Sequence, residues 1–387
     1  MAVSFEFSTA ERVLFGAGMF DKEAASLAAS LGRRPLVVTG RSLHRAEALI
    51  ATLRKLGGDP VVFSVEREPD LDTIRLGVLV AREGRCDCAI GIGGGAVIDS
   101  TKAVAALVPN PGDVLDYLEI IGKGKSLPVP GLPTMVAPTT AGTGSEVTRN
   151  SVIVVPEHRV KVSLRSPYLF PKIALVDPLL TYELPAKLTA STGLDALAQL
   201  IEAFVSVRAN PLVDGICREG ISRAARSLER AVESPRDAQA RADMALASLF
   251  SGLALANAGL GAVHGLAGPL GGMIGAPHGE LCAALLPEVM AVNISALRRQ
   301  TPESQTLLRY AVLAQILTGD STAKPETAAE WVRSLVCNLG IPRLSAQGFT
   351  LELLPELIEK AKVASSMKGN PVVLTDVELE TIVRAAL

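Results

Sequence analysis

The chain has 387 residues, more than one hydrophobic core usually organises, so two domains are expected. Apolar residues make up 48% and charged residues 20%, which suits a compact globular protein. A net charge of -2, with no run of like charge, offers no footprint for nucleic acid or an anionic membrane.

The opening Met1-Ala2-Val3-Ser4-Phe5-Glu6 lacks the basic and apolar regions of a secretory leader, so none is expected. No apolar stretch is expected to be long and clean enough to span a bilayer, and the chain reads as soluble and cytoplasmic. Aromatics are sparse at 4%, and the abundance of Ala, Leu, Val and Gly favours helix–strand packing in α/β layers. Short β-rich runs are predicted at 35–39, 60–65, 88–92, 134–137, 151–155 and 173–176. Helical periodicity is predicted between them at 43–56 and 70–83. This alternation implies a mainly parallel sheet covered by helices. After Asp177-Pro178 the texture becomes Ala/Leu-rich and helical, with no convincing alternating strand beyond Leu184. The expected division is an α/β domain at 1–182 and an all-helical domain at 183–387.

The five cysteines, Cys86, Cys88, Cys217, Cys282 and Cys337, are odd in number and scattered, which argues against a disulfide framework. Cys86-Asp87-Cys88 is too tightly spaced for a zinc knuckle and reads as buried core thiols.

From Cys88 the chain runs through Gly91-Ile92-Gly93-Gly94-Gly95-Ala96-Val97-Ile98-Asp99, from a strand into a helix. Glycines permit close backbone approach, and a helix N-terminus presents unpaired N–H groups with partial positive charge. A pyrophosphate suits such a turn, and Gly91-x-Gly93-x-x-Ala96 satisfies the dinucleotide fingerprint. The segment alone also fits a sterically tight strand–helix turn, and it is not on the first strand, where that fingerprint belongs. A second loop, Pro138-Thr139-Thr140-Ala141-Gly142-Thr143-Gly144-Ser145-Glu146-Val147-Thr148, is dense in hydroxyls and flexible backbone and can wrap a ribose or phosphate; a plain surface loop is the alternative. No Gly-Lys-Ser/Thr follows, which excludes a P-loop.

Of the four histidines, His264 and His278 stand in apolar, Gly/Pro-rich surroundings. Upstream, Asp195 and Gln199 share one face of a helical stretch at i,i+4 spacing. A buried carboxylate needs a partner, and a divalent cation held with imidazoles is one solution. Hydrogen-bonded core residues are another, and spacing alone favours them.

The order GIGGGAVIDSTKA, PTTAGTGSEVT, GLDALAQLIEAF and HGLAGPLGG…PHGELCAALLP resembles the group III, iron-containing alcohol dehydrogenases. The segments ERVLFGAG and PNPGDVLDY add to the resemblance, which covers nearly the whole chain. It implies a dehydroquinate-synthase-like fold with cofactor and substrate in an interdomain cleft. It implies NAD(P)-dependent interconversion of an alcohol and an aldehyde or ketone by metal-assisted hydride transfer, in a homodimer or larger homo-oligomer.

By the same resemblance, Gly93, Gly94, Gly95 and Ala96 hold the pyrophosphate, with Ala96 in place of the usual Ser. Asp99 and Lys102 match the pattern that follows, Thr139, Thr140 and Thr143 hold the nucleotide, Lys161 touches the nicotinamide ribose and Asn150 falls near the nicotinamide. The implied ligands of Fe²⁺ or Zn²⁺ are Asp195, Gln199, His264 and His278, with Gln199 where the family has a third His, and Asp195, His264 and His278 are the implied catalytic residues. An amide oxygen is a weaker ligand than imidazole, although related glycerol dehydrogenases hold zinc with one Asp and two His. Gly268 stands where many members carry a His near the nicotinamide. Gly40 stands where the family often has Asp, leaving room for a 2′-phosphate beside Arg41 and Ser42, so NADP(H) is expected to be accepted. The rival readings are a maleylacetate-reductase-like reductase, a lyase related to dehydroquinate synthase, and a catalytically weakened nucleotide-binding homologue.

Overall fold

A computed structural model describes residues 4–387; Met1, Ala2 and Val3, part of the stretch read above as lacking a leader, lie outside the described residues. The chain divides into two compact units, one from Ser8 to Leu184 and one comprising Pro185–Leu387 with the short segment ending at Phe7.

The first unit begins with β1 (Arg12–Phe15), α1 (Met19–Leu31), β2 (Pro35–Thr39), α2 (His44–Lys55), β3 (Val61–Ser64), α3 (Leu71–Glu83), β4 (Cys88–Gly93) and α4 (Gly95–Leu107). It continues with β5 (Thr134–Pro138), β6 (Asn150–Val155), β7 (Val160–Arg165) and β8 (Ile173–Val176). Six strands form a wholly parallel sheet in the order β1-β8-β5-β4-β2-β3. Strands β2, β4, β5 and β8 are buried along their whole length, which is why they read as continuous apolar runs without alternation. Period-2 geometry still sorts their side chains: Leu36 and Val38 enter the core under α3 and α4, while Val37 between them enters the core under α1 and α2.

Two strands escape the sequence pattern. β1 is a four-residue edge strand that is largely exposed. β7 carries Lys161 and Arg165 and pairs with β6 as an antiparallel hairpin, with a single bridge to Leu118 on its other side. Its Val162 and Leu164 join the α3–α4 core, so burial on one face compensates for the charges on the other. Asp177 closes the unit by accepting hydrogen bonds from the backbone N–H groups of Gly18 and Phe20 at 3.1 and 3.0 Å, which anchors the start of α1. Cys86 and Cys88 are buried, as their apolar setting implied.

The second unit contains α5 (Ala186–Val205), α6 (Pro211–Glu233), α7 (Ala238–Ala258), α8 (Ala262–Ile274) and α9 (His278–Gln300). These are followed by α10 (Gln305–Thr318), α11 (Pro325–Asn338), α12 (Leu354–Val363) and α13 (Asp376–Ala385). No strand occurs in it among the described residues. One expectation needs correction: α9, with 23 residues and a mean hydropathy of 1.5, is long and apolar enough to cross a bilayer. That window is 78% buried inside the protein, so its apolar character comes from its place as a core helix.

Candidate functional site

Helix α5 places Asp195, Gln199 and Glu202 at i, i+4 and i+7, one face of the helix, and all three are buried. His264 lies in the first turn of α8, His278 is the first residue of α9, and Cys282 follows one turn later. Gly279 makes this convergence possible, because a Cβ there would lie 2.4 Å from the Ser191 carbonyl oxygen on α5. Any larger residue would push the start of α9, and His278 with it, away from Asp195.

His264 Nε2 lies 3.2 Å from Asp195 Oδ1, and His278 Nε2 lies 3.8 Å from the same oxygen. Cys282 Sγ stands 3.7 Å from His264 Nε2 and 3.5 Å from His278 Nε2. One ligand atom from each of the four residues falls within 4.8 Å of all the others. A carboxylate, two imidazoles and a thiol are donor types that suit a divalent transition metal, so the residues fit the cation that the sequence implied.

Behind this cluster, Glu202 Oε2 lies 2.6 Å from His264 Nδ1. The carboxylate also accepts from the backbone N–H of Val263 at 2.7 Å and of His264 at 3.4 Å. Glu202 therefore caps the start of α8 and turns His264 so that Nε2 faces Asp195, as an outer partner of a metal-ligating histidine does. Gln199 behaves differently: its amide Nε2 donates to Asp195 Oδ2 at 3.1 Å, and its Oε1 is buried without a protein partner. An acceptor left over at that depth is consistent with a cation or its water being part of the site.

The charges agree with this arrangement. Burial by itself would raise the pKa of Asp195, but the hydrogen bond from His264 and the nearby His278 outweigh it and hold the group below its ordinary value. Burial would likewise depress His264 and His278, yet the Cys282 sulfur and Asp195 raise both, His264 the more strongly. Cation binding therefore competes with protons for the imidazole nitrogens. Sequence reasoning missed Glu202 and Cys282. Both were findable by helical spacing, Glu202 seven residues after Asp195 and Cys282 four after His278. At Gly268 a Cβ would meet nothing within 4 Å, so no neighbour replaces a side chain at that position.

In the α/β unit, β2 continues to β3 on one side, whereas β4, β5 and β8 extend the sheet the other way. The carboxyl ends of β2 and β4 thus flank the point where strand order reverses, the usual crevice for a dinucleotide in an open α/β sheet. This explains why the glycine turn follows β4 and not the first strand. Gly94 is the N-cap of α4, with no side chain capping the helix. A Cβ on Gly94 would lie 3.1 Å from Thr140 Cγ2, and one on Gly95 would lie 2.9 Å from Thr143 Cγ2. The two loops picked out in the sequence therefore touch, and Thr139 N–H donates to the Gly93 carbonyl at 2.9 Å. Gly94, Gly95, Ala96, Thr140 and Thr143 are only half-buried.

Asp99 and Lys102 work beneath the loops. Asp99 accepts from Ser145 Oγ at 2.5 Å and from Val152 N–H at 2.9 Å, and lies 3.2 Å from Lys102 Nζ. Lys102 Nζ donates to Ser145 Oγ at 2.7 Å, to the Ser145 carbonyl at 2.9 Å and also to the Asn150 carbonyl. Burial pushes this ammonium's pKa down against the opposing pull of Asp99. Lys161 pairs with Glu68 at 2.5 Å. At Gly40 a Cβ would meet nothing within 4 Å, and Arg41 nearby is largely exposed.

Residues 10–178 match the family model "Iron-containing alcohol dehydrogenase", and residues 189–387 match "Fe-containing alcohol dehydrogenase family, C-terminal". The chain is 37% identical to long-chain-alcohol dehydrogenase 1 of Geobacillus thermodenitrificans, covering 91% of this chain and 89% of the relative. It is 35% identical to 1,3-propanediol dehydrogenase of Klebsiella pneumoniae, covering 92% of each. The crystal structure of a 1,3-propanediol oxidoreductase superimposes with a TM-score of 0.89 at 33% identity, covering 100% of both chains. This chain belongs to the iron-containing alcohol dehydrogenase family. The dehydrogenase is an NAD(P)-dependent oxidoreductase that interconverts an alcohol and its carbonyl counterpart by metal-assisted hydride transfer.

Two outcomes follow for the dehydrogenase. Glu202→Gln weakens retention of a divalent cation by roughly 10–100-fold, the scale of losing an outer partner of a ligating histidine, and a chelator competition assay reads it. Unchanged affinity would show that Glu202 only caps α8. The second outcome concerns Glu146, which is fully buried; burial lifts its pKa to about 7, against the opposing pull of its backbone hydrogen bond and Lys102. The folded state then binds more protons than the unfolded state between the ordinary value of 4.5 and about 7, so stability falls as pH rises through that window. The loss is on the order of 3 kcal/mol. In urea unfolding at pH 5 and pH 8, Glu146→Gln should gain on the wild type at the higher pH.

Proposed function

We propose that this dehydrogenase holds its cation, Fe²⁺ or Zn²⁺, through Asp195, His264 and His278 in the helical unit. Its dinucleotide is held on Gly93, Gly94, Gly95 and Ala96 in the α/β unit. The observation that carries the reading is the convergence of Asp195, His264 and His278 from three helices, their ligand atoms turned toward one another. When bound, the cation supplies Lewis-acid polarisation of the substrate oxygen and the nicotinamide supplies or accepts the hydride.

The chain's own residues prepare for that chemistry. Glu202 keeps His264 Nε2 facing the cluster, and the Gln199 amide keeps Asp195 oriented. The uncapped start of α4 offers backbone N–H groups to a pyrophosphate. Thr139, Thr140 and Thr143 line the nucleotide's path, while Asp99 is a positioning residue that fixes the threonine loop through Ser145. Lys161, steadied by Glu68, serves the nicotinamide ribose, and Asn150, which pairs with Arg165 at the other end of the β6–β7 hairpin, serves the nicotinamide side. The substrate is a small-molecule alcohol or aldehyde, and the enzyme is a cytoplasmic homodimer or larger homo-oligomer. Open space at Gly40 favours acceptance of NADP(H) alongside NAD(H), with Arg41 or Ser42 as the phosphate partner.

Asp195→Ala should lose bound metal and reduce NAD(P)H-dependent aldehyde reduction by on the order of 10²–10³-fold, the scale of removing one preorganised electrostatic stabiliser. Full activity in the variant would eliminate the metal reading. Gly40→Asp, which the backbone accommodates without a clash, should move the NADPH/NADH ratio of kcat/KM toward NADH by at least about tenfold. An unaltered ratio would remove Gly40 from cofactor selection.

A further inference from the structure

We infer that Cys282 is the fourth protein ligand of the cation, binding it as a thiolate. The inference rests on the assignment of Asp195, His264 and His278 as ligands and extends it to a residue that no sequence signal assigned.

Geometry carries it. Zinc bonds of about 2.0–2.1 Å to nitrogen or oxygen and about 2.3 Å to sulfur give tetrahedral edges of roughly 3.4 Å between N and O ligands and roughly 3.6 Å to sulfur. Cys282 Sγ stands 3.5 and 3.7 Å from the two imidazole Nε2 atoms, and Asp195 Oδ1 stands 3.2 and 3.8 Å from them. These four edges are thus close to tetrahedral lengths, and the remaining two lie within 4.8 Å. Gln199 is engaged with Asp195 through its amide N–H, while its Oε1, buried without a protein partner, remains the competing donor that the test below must separate from Cys282. Helix α9 instead supplies two donors one turn apart, His278 and Cys282, both toward Asp195.

The chemical consequence follows from charge and softness. One carboxylate and one thiolate balance both charges of a divalent cation, and a thiolate is a soft ligand that suits zinc. Ligation also requires Cys282 to lose its proton, so it is not an inert core thiol like Cys217. Cys217 is equally buried, with burial raising its thiol pKa, and it belongs to no cluster of three or more metal-ligating residues among the described residues.

The test is cobalt titration of the full-length protein after metal stripping, followed by absorbance. The wild type should bind one Co²⁺ and develop the intense near-ultraviolet charge-transfer band of thiolate ligation. Cys282→Ser and Cys282→Ala should bind cobalt without that band. Their zinc affinity should be weaker by more than the roughly 10–100-fold typical of losing an outer-shell partner. Gln199→Leu should keep the band. A wild-type cobalt spectrum lacking the band overturns the inference and needs no variant to fold; so does zinc affinity unchanged in Cys282→Ser, or a band that disappears only in Gln199→Leu. Asp195→Ala separates the two levels. If it abolishes metal binding while the wild type shows no thiolate band, the three-ligand reading stands and only Cys282 falls. If the wild type takes up no stoichiometric cation, both fall.

Discussion

Two buried carboxylates on one face of α5 organise the helical unit. An uncompensated charge in a protein interior costs several kcal/mol, so Asp195 and Glu202 survive there only because other groups are brought to them. Glu202 takes the unpaired N–H groups at the start of α8 together with a ring nitrogen of His264. Asp195 takes the other ring nitrogen of His264, the Gln199 amide and the approach of His278. The demand of α5 for partners is therefore what draws α8 and α9 to it, and a cation-sized group of donors is the result. Where a cation binds, it relieves the same electrostatic debt that shaped the fold.

The α/β unit solves a parallel problem with the signs reversed. Lys102 is a fully buried cation in α4, and its acceptors come from the threonine-loop end and the first residue of β6. Asp99, one turn earlier, takes Ser145 and the Val152 N–H. These bonds hold the loop against the glycine turn from below and leave the upper surface of Gly94, Gly95 and Ala96 partly open. Rigid support beneath and bare backbone above is what a phosphate-binding turn needs, since its N–H groups must be aimed before the anion arrives.

A ligand set of carboxylate, two imidazoles and thiolate would make the site electrically neutral when loaded, and a neutral site polarises a substrate oxygen less strongly than a cationic one. Gly268 offers no imidazole where many members of the family carry one, so a proton relay at that position would have to come from other groups. Both features concern rate and metal preference and leave the reaction class unchanged.

The motifs in order, with the family they resemble, indicated the α/β-then-helical plan, the two small-residue loops and the candidates Asp195, His264 and His278. The loops are local signals, a strand running into glycines and a hydroxyl-rich turn, whereas the three candidates sit on separate helices and were singled out by the resemblance. β1 and β7 were not legible because their stability comes from neighbours distant in the chain, β8 and the α3–α4 core, and not from their own pattern. The apolar length of α9 was not legible as a core feature either, since hydropathy does not reveal which faces other helices cover. Above all, only the tertiary structure could bring Glu202 to His264, 62 residues away, and Cys282 into the same cluster. A side chain's role at such a site is decided by what the fold places within bonding distance, and sequence spacing reports that only within a single helix.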